Sequence, residues 1–376
     1  MKCIGRKANG DNCTNNAKYE GYCGVHKNQR SVIREPIEYP GDYVPAQSMD
    51  EFVTDINGLR DTILRYGVAV IPNVINEDET KEMNDGAWNY LERITSKFET
   101  PIQRDKQETY RSFYDLIPLH GMLMQHWGIG QADYVWKMRQ NPKIVDIFAK
   151  LWNVGHNQLL VSFDGASFGF PHEITGRGNY KGNDWYHFDQ AMCDSEFKSV
   201  QSWVTANDVG VGDSTLTVLE GSHKLKEYFA YEHNLLDRKD NWYKMDNKSK
   251  ESREVDWFLE RGCVKRDILC SAGSMVFWDS RTCHAGKEPL SDRENMNFRN
   301  VVYLSYAPKA MASKTVISKR IDYYMKQRTT GHWIHKPKLF TKSPRTYGKE
   351  MPIVVRPLPP KMTKLGYSLV GFENQL

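Results

Sequence analysis

Two stretches of this chain carry residue types suited to oxidative metal chemistry. Trp185-Tyr-His187-Phe-Asp189-Gln sets an imidazole and a carboxylate two positions apart, and Phe277-Trp-Asp-Ser-Arg-Thr-Cys-His284-Ala-Gly brings a second imidazole about a hundred residues later. Side chains two apart on a strand share one face, so His187 and Asp189 can point at one ion and the distant His284 can complete a facial triad. Three protein ligands on one face of an octahedron leave three positions for a chelating co-substrate and dioxygen. That openness suits non-haem Fe(II), whereas a closed four-ligand shell leaves no room for chemistry. A lone His-x-Asp is more often a polar strand end, so its surroundings decide its meaning.

Those surroundings include Phe298-Arg299-Asn-Val-Val-Tyr-Leu-Ser-Tyr306, an apolar, β-branched and aromatic run that reads as a buried strand opened by an arginine. A guanidinium there can pair bidentately with a co-substrate carboxylate, the plainer alternative being a strand-end ion pair. Between the two metal segments lie Ser199-Val-Gln-Ser-Trp203-Val-Thr and Asp213-Ser-Thr-Leu-Thr-Val-Leu-Glu-Gly221-Ser-His223-Lys224.

In order and approximate spacing, these stretches resemble the phytanoyl-CoA dioxygenase family of Fe(II)/2-oxoglutarate oxygenases. Its pattern is His-x-Asp, a Trp-bearing strand, Gly-Ser-His-Lys, a distal His and a strand-borne Arg. The resemblance spans roughly residues 50 to 310. It implies a mainly β fold with flanking helices, built on a double-stranded β-helix (jelly roll, cupin-like) core with the metal at its open mouth. It further implies that His187, Asp189 and His284 bind iron, that Arg299 holds the distal carboxylate of 2-oxoglutarate, and that Trp203 lines that pocket. Two positions depart from the family. Its Arg commonly follows the distal His more closely, which leaves Arg293 as a second candidate, and its Pro before Gly-Ser-His-Lys is Glu220 here. Arg299 is preferred because Arg293 sits among Ser291, Asp292, Glu294 and Asn295, a polar turn expected to face solvent.

Elements able to position such a site can be read along the chain. Phe52, Ile56, Leu59, Ile63 and Leu64 recur at helical spacing from Met49, Gly67-Val-Ala-Val-Ile-Pro72 reads as a strand, and a helix resumes at Glu77. Further helices are expected near 110–125, 142–152, 255–259 and 309–325, with a strand at Gln158–Phe163. The Gly-rich segment from Gly165 to Asp184 reads as a lid or substrate wall. Its His172 reads as a loop hydrogen-bonder, and His223 of Gly-Ser-His-Lys as part of a structural turn after a strand. Cys193 and Cys283, close to the ligands in sequence, read as small buried hydrophobes. Residues 235–262 look like an insertion able to shape substrate choice.

At 376 residues, 40% hydrophobic and 12% aromatic, the chain can bury a sizeable core. A net charge of +4 is too small to argue alone for nucleic acid or membrane. No run of eighteen apolar residues spans a bilayer and no hydrophobic signal core opens the chain, so a reducing, cytoplasmic compartment is expected. Seven cysteines, an odd number, fit metal ligation and free thiols better than a disulfide framework.

Residues 1–30 stand apart. Cys3, Cys13, Cys23 and His26, spaced Cys-x9-Cys-x9-Cys-x2-His, have no hydrophobic run long enough for a core. Three thiolates and an imidazole give zinc a closed tetrahedral shell, and such binding supplies roughly 10–16 kcal/mol toward folding in small peptides. These ligands read as a structural zinc knuckle, the plainer alternative being a flexible tail with incidental cysteines, and the segment's resemblance to short Cys3-His modules of large DNA viruses implies an interaction module for nucleic acid or protein. A linker is expected at 31–48, the oxygenase domain at 49–325 and a basic extension at 326–376. Between Lys326 and Lys364 stand ten Lys or Arg against the single acid Glu350, interleaved with aromatics in Gly331-His-Trp-Ile-His335. A solvated face is the plainer reading of that tail, and a grip on anionic substrates or nucleic acid the sharper one. The leading expectation is a dioxygenase that hydroxylates a small-molecule substrate. Asp189 favours hydroxylation over halogenation, which would need its position free for halide. The rival is a non-catalytic jelly roll that binds nucleic acid through the knuckle and the tail.

Overall fold

A computed structural model of the chain describes residues 13–16, 36–117, 122–182, 184–246, 253–346, 348 and 350–373. The chain divides into two compact units, Met1–Tyr39 and Pro40–Leu376. In the first, Cys13 is buried and its Sγ accepts the Asn15 N–H at 3.4 Å. Cys3, Cys23 and His26, the other expected zinc ligands, lie outside the described residues.

The second unit is a jelly roll with a helical layer. Its strands are β1 (Val68–Ile71), β2 (Leu159–Val161), β3 (Ala166–Gly169), β4 (His187–Phe188), β5 (Val200–Thr205), β6 (Thr215–Glu220), β7 (Tyr243–Lys244), β8 (Val264–Asp267), β9 (Met275–Asp279), β10 (His284–Lys287), β11 (Arg299–Leu304) and β12 (Tyr306–Pro308). One antiparallel sheet has the order β1-β9-β5-β11-β3 and the other β7-β4-β10-β6-β8, with β12-β2 as a separate ribbon.

The central strands β5, β6 and β9 are buried at every position, polar residues included, because both their faces are covered. Along β9, Met275 and Phe277 join the core under the helices, whereas Val276 and Trp278 point between the sheets. The helix Pro142–Trp152 covers the outer face, its start fixed by Pro142 and by the Asn141 side chain accepting the Lys143 N–H. From it Phe148 packs on Phe277 and Tyr306 with ring centroids 5.6 and 4.5 Å away. Truncating so buried a ring to Ala costs about 3–5 kcal/mol. The helix Glu77–Ile94 beside it opens with a reciprocal capping box between Asn76 and Glu79.

Most expected elements are present, with four differences. The helical spacing from Met49 becomes a 3-10 turn at Met49–Phe52 and, after a break, the helix Leu59–Tyr66. Of the helix foreseen at 110–125, the described residues form only Phe113–Leu116 after a 3-10 turn, and Ile117 leaves the helical region, as a residue before proline tends to. The helix foreseen from 309 starts at Lys314, where Ser313 caps it. Gly-Ser-His-Lys is not a turn alone but the start of the helix Ser222–Glu232. Gly221 holds a φ of 84°, and a Cβ there would run into the Tyr43 ring. Glu220, in place of the family's Pro, is fully buried and accepts from Tyr43 Oη (2.8 Å), the Ala46 N–H (2.7 Å) and Arg266 Nε (2.8 Å), tying the 40s segment to β6 and β8.

Candidate metal centre

The jelly-roll pairing brings the distant candidate ligands together. β4 and β10 are antiparallel neighbours with His187 directly opposite His284, so their rings stand 4.4 Å apart. Asp189, just past β4 and on the same face as His187, sets its carboxylate 3.7 Å from His187 Nε2 and 3.4 Å from His284 Nε2. One donor atom from each residue lies within 4.8 Å of the others, the one such cluster among the described residues, and all three are buried.

Hydrogen bonds fix which nitrogens are free to face an ion. His187 Nδ1 bonds to the Trp185 carbonyl at 3.1 Å and His284 Nδ1 to the Thr282 carbonyl at 2.9 Å, so each carries its proton on Nδ1. The indole N–H of Trp278 donates to His284 Nε2 at 3.2 Å, which requires a bare lone pair there. Burial first, then the neighbouring His284, pushes His187 down to about 4, keeping it neutral. Burial alone would raise the Asp189 carboxyl, but His332, His187 and His284 outweigh it and hold the group well below the usual carboxylate range. Gln201 Nε2 donates to Asp189 Oδ2 at 2.9 Å and orients it. Two neutral imidazoles and one ionised carboxylate on a single open side are the donor set a divalent iron takes while keeping positions free, so the residues fit that ion.

The facing sheet supplies the second part of the site. Gln201 and Trp203 on β5, Trp278 on β9, and Arg299 and Tyr303 on β11 all line the same cavity as the triad. Arg299 is buried, with Nε donating to Ser167 Oγ (3.1 Å) and Nη1 to the Ser214 carbonyl (2.7 Å). Its guanidinium stands 5.6 Å from the Trp203 ring, whose buried Nε1–H has no hydrogen-bond partner among the described residues. Arg293 does not face solvent as its neighbours in sequence led us to expect. Its side chain is 2% exposed and tied to Glu173 Oε1 (2.8 Å) and Asp213 Oδ1 (2.7 Å), so its charge is already matched.

The other sequence candidates lie elsewhere. His172 contacts Glu173 at 3.2 Å, His223 Nε2 bonds to the Leu64 carbonyl at 3.0 Å, and Cys283 is buried in the core between the sheets while Cys193 is exposed. Sequence reasoning missed Gln201, Trp278 and, most of all, that the C-terminal extension returns to Asp189. Trp333 is buried and donates its indole N–H to the Asp189 carbonyl at 3.1 Å, and His332 Nδ1 lies 3.9 Å from Asp189 Oδ2. The tail is therefore not simply a solvated face: Trp333 packs inward, while Lys336 and Lys338 stay exposed where they line the cavity. The alternation of rings and charges in Gly331–Phe340 was the available signal. The cavity measures about 810 Å³, within the usual range for ligand sites. Among the described residues no helix is long and apolar enough to cross a membrane.

Residues 63–296 match the phytanoyl-CoA dioxygenase family, and residues 2–37 match a domain of unknown function, DUF5763. A curated relative, Ava biosynthesis cluster protein O from Aspergillus versicolor, is 25% identical over 317 residues, covering 82% of this chain and 94% of that one. Among solved structures, hypothetical protein JW0805 from Escherichia coli superposes with a TM-score of 0.52 at 14% identity, over 86% of this chain and 85% of its own. The epimerase SnoN, solved with Fe3+, alpha-ketoglutarate and nogalamycin RO, gives a TM-score of 0.39 at 15% identity, over 67% and 83%.

Proposed function

From the premise that this chain belongs to the phytanoyl-CoA dioxygenase family, and is thus an oxygenase-type enzyme, we propose that it is an Fe(II)- and 2-oxoglutarate-dependent dioxygenase hydroxylating an unactivated C–H of a small molecule. The observation that carries this reading is the convergence of His187, Asp189 and His284 in a cavity that also holds Arg299. A relative named for a biosynthesis cluster supports a small-molecule substrate.

When bound, iron with 2-oxoglutarate and dioxygen supplies the oxidising power for C–H hydroxylation, with succinate and carbon dioxide released. The chain's part is holding, orienting and shielding. His187 and His284 offer Nε2 lone pairs and Asp189 a carboxylate that Gln201 keeps turned toward them. Arg299 presents Nη2, which has no hydrogen bond to a described residue, to the distal carboxylate of the co-substrate. The unpartnered indole N–H of Trp203 is a second donor beside it. Aromatic side chains around the triad, Trp185 stacked on His187 at 4.7 Å among them, keep water from the reacting positions. Asp189, in the place a halogenase would leave for halide, favours hydroxylation.

The test is succinate release by the purified full chain with Fe(II), 2-oxoglutarate and dioxygen, screened across lipid, amino-acid-derived and nucleotide candidates. Iron-dependent succinate that rises with one substrate class supports the proposal. No succinate and no 2-oxoglutarate binding would favour a jelly-roll scaffold instead.

A further inference from the structure

The cavity is larger than a metal and a co-substrate require, and its outer walls come from two segments with no ligand to the metal. The loop after the helix Ser222–Glu232 brings Arg238 and Trp242, and the extension, beyond the family match, brings His332, Lys336, Lys338 and Phe340. Three of these are cations, and besides Asp189 of the triad the acids lining the cavity are Asp240 and Asp164. None of the three cations forms an ion pair with a described carboxylate. Arg238 instead stacks over the Tyr243 ring at 5.0 Å. Burial first, then the nearby positive charges of Lys336 and Lys198, pushes His335 down to about 4.

The apolar lining is aromatic. Trp242 is 51% exposed, unusual for so large a ring, with its centroid 6.0 Å from that of His187. Further in, His332 Nε2 is buried with no hydrogen-bond partner among the described residues. A buried polar atom without a partner on a cavity wall calls for one from a ligand.

Resting on the oxygenase reading, in which Arg299 is taken by 2-oxoglutarate, we infer that the primary substrate is a small organic anion with a planar body. Its acid group lies among Arg238, Lys336 and Lys338, its plane against Trp242 and Phe340, and a polar atom at its inner end meets His332 Nε2. The recognition is charge at the rim and stacking within, which leaves the carbon beyond the ring nearest the triad.

The experiment is calorimetric titration of the anaerobic, Fe(II)-loaded, 2-oxoglutarate-saturated full chain with three probes: indole-3-acetate, its neutral isostere indole-3-acetamide, and cationic tryptamine. A hydrogen bond to a charged group predicts that the acetate binds about tenfold tighter than the amide at low salt, with tryptamine weakest. In the exposed double variant Lys336→Glu/Lys338→Glu the order of acetate and tryptamine reverses while 2-oxoglutarate affinity holds. Trp242→Ala weakens all three probes by about fivefold to tenfold. Equal affinities in the wild type, an order untouched by charge reversal, or no probe binding where 2-oxoglutarate binds would each overturn the inference and leave the oxygenase reading standing. If 2-oxoglutarate itself does not bind, the oxygenase reading falls and takes this inference with it.

Discussion

Two arginines compete for the role of carboxylate clamp, and their surroundings predict opposite phenotypes. Arg299 spends Nε on Ser167 and Nη1 on the Ser214 carbonyl, leaving Nη2 and the second Nη1 hydrogen for a ligand. Hydrogen bonds to charged groups are worth about 1.5–3 kcal/mol each, so losing two costs at least about 3 kcal/mol, or about a hundredfold in 2-oxoglutarate Kd. Arg299→Ala should show that loss with metal affinity intact. Arg293, 2% exposed, neutralises Asp213, whose side chain is 6% exposed, and Glu173. Removing one member of so buried a set costs about 3–5 kcal/mol of stability, while co-substrate Kd should change little in the protein that remains folded. Titration of 2-oxoglutarate into the anaerobic Fe(II) protein, paired with urea unfolding of both variants, separates the cases. The reasoning fails if Arg293→Ala weakens 2-oxoglutarate a hundredfold and Arg299→Ala does not.

Trp333→Phe keeps the packing but deletes the N–H that holds the Asp189 carbonyl. A lost partner of this kind costs about 1–3 kcal/mol, so metal affinity should fall roughly tenfold to a hundredfold in a Ni(II) or Fe(II) titration, and an unchanged affinity would deny the extension a part in the site. Gln201→Leu, which frees the Asp189 carboxylate to turn, should weaken the metal over the same range while far-ultraviolet circular dichroism stays that of the wild type. His223, held neutral by burial at about 4, predicts acid sensitivity. The unfolded chain takes up a proton below about pH 6.5 that the folded chain refuses until about pH 4, so stability falls as pH drops through that window, by about 3 kcal/mol at its end. Urea midpoints at pH 7 and pH 5 should diverge in the wild type and converge partly in His223→Gln; equal divergence in both would place the acid sensitivity elsewhere.

The fold and the centre of the site were legible because their signals are local or periodic. His187 and Asp189 sit two apart, and Arg299 opens a strand whose Val301–Leu304 run is apolar and aromatic. What was illegible depends on register and return. Trp203 was placed in the pocket by resemblance, yet nothing marked Gln201, two positions before it, as the residue that orients the Asp189 carboxylate, nor said that Trp333 comes back to the Asp189 carbonyl from 144 residues away. Arg293 was misjudged because its polar neighbours in sequence suit a solvent-facing turn, while its partners Glu173 and Asp213 are 120 and 80 residues distant. Glu220 was the opposite case. A departure from the family pattern that cast doubt on the local turn is a buried carboxylate with three hydrogen-bond donors of its own.

The claim beneath all of this is that His187, Asp189 and His284 share one ferrous ion with an open face toward the cavity. Anaerobic addition of 2-oxoglutarate to the Fe(II)-loaded protein, followed by visible absorption, tests it directly. One iron per chain and a charge-transfer band on co-substrate addition, both lost in His187→Ala and in His284→Ala, are the predicted result. Iron that still binds and still gives the band in those variants would contradict it.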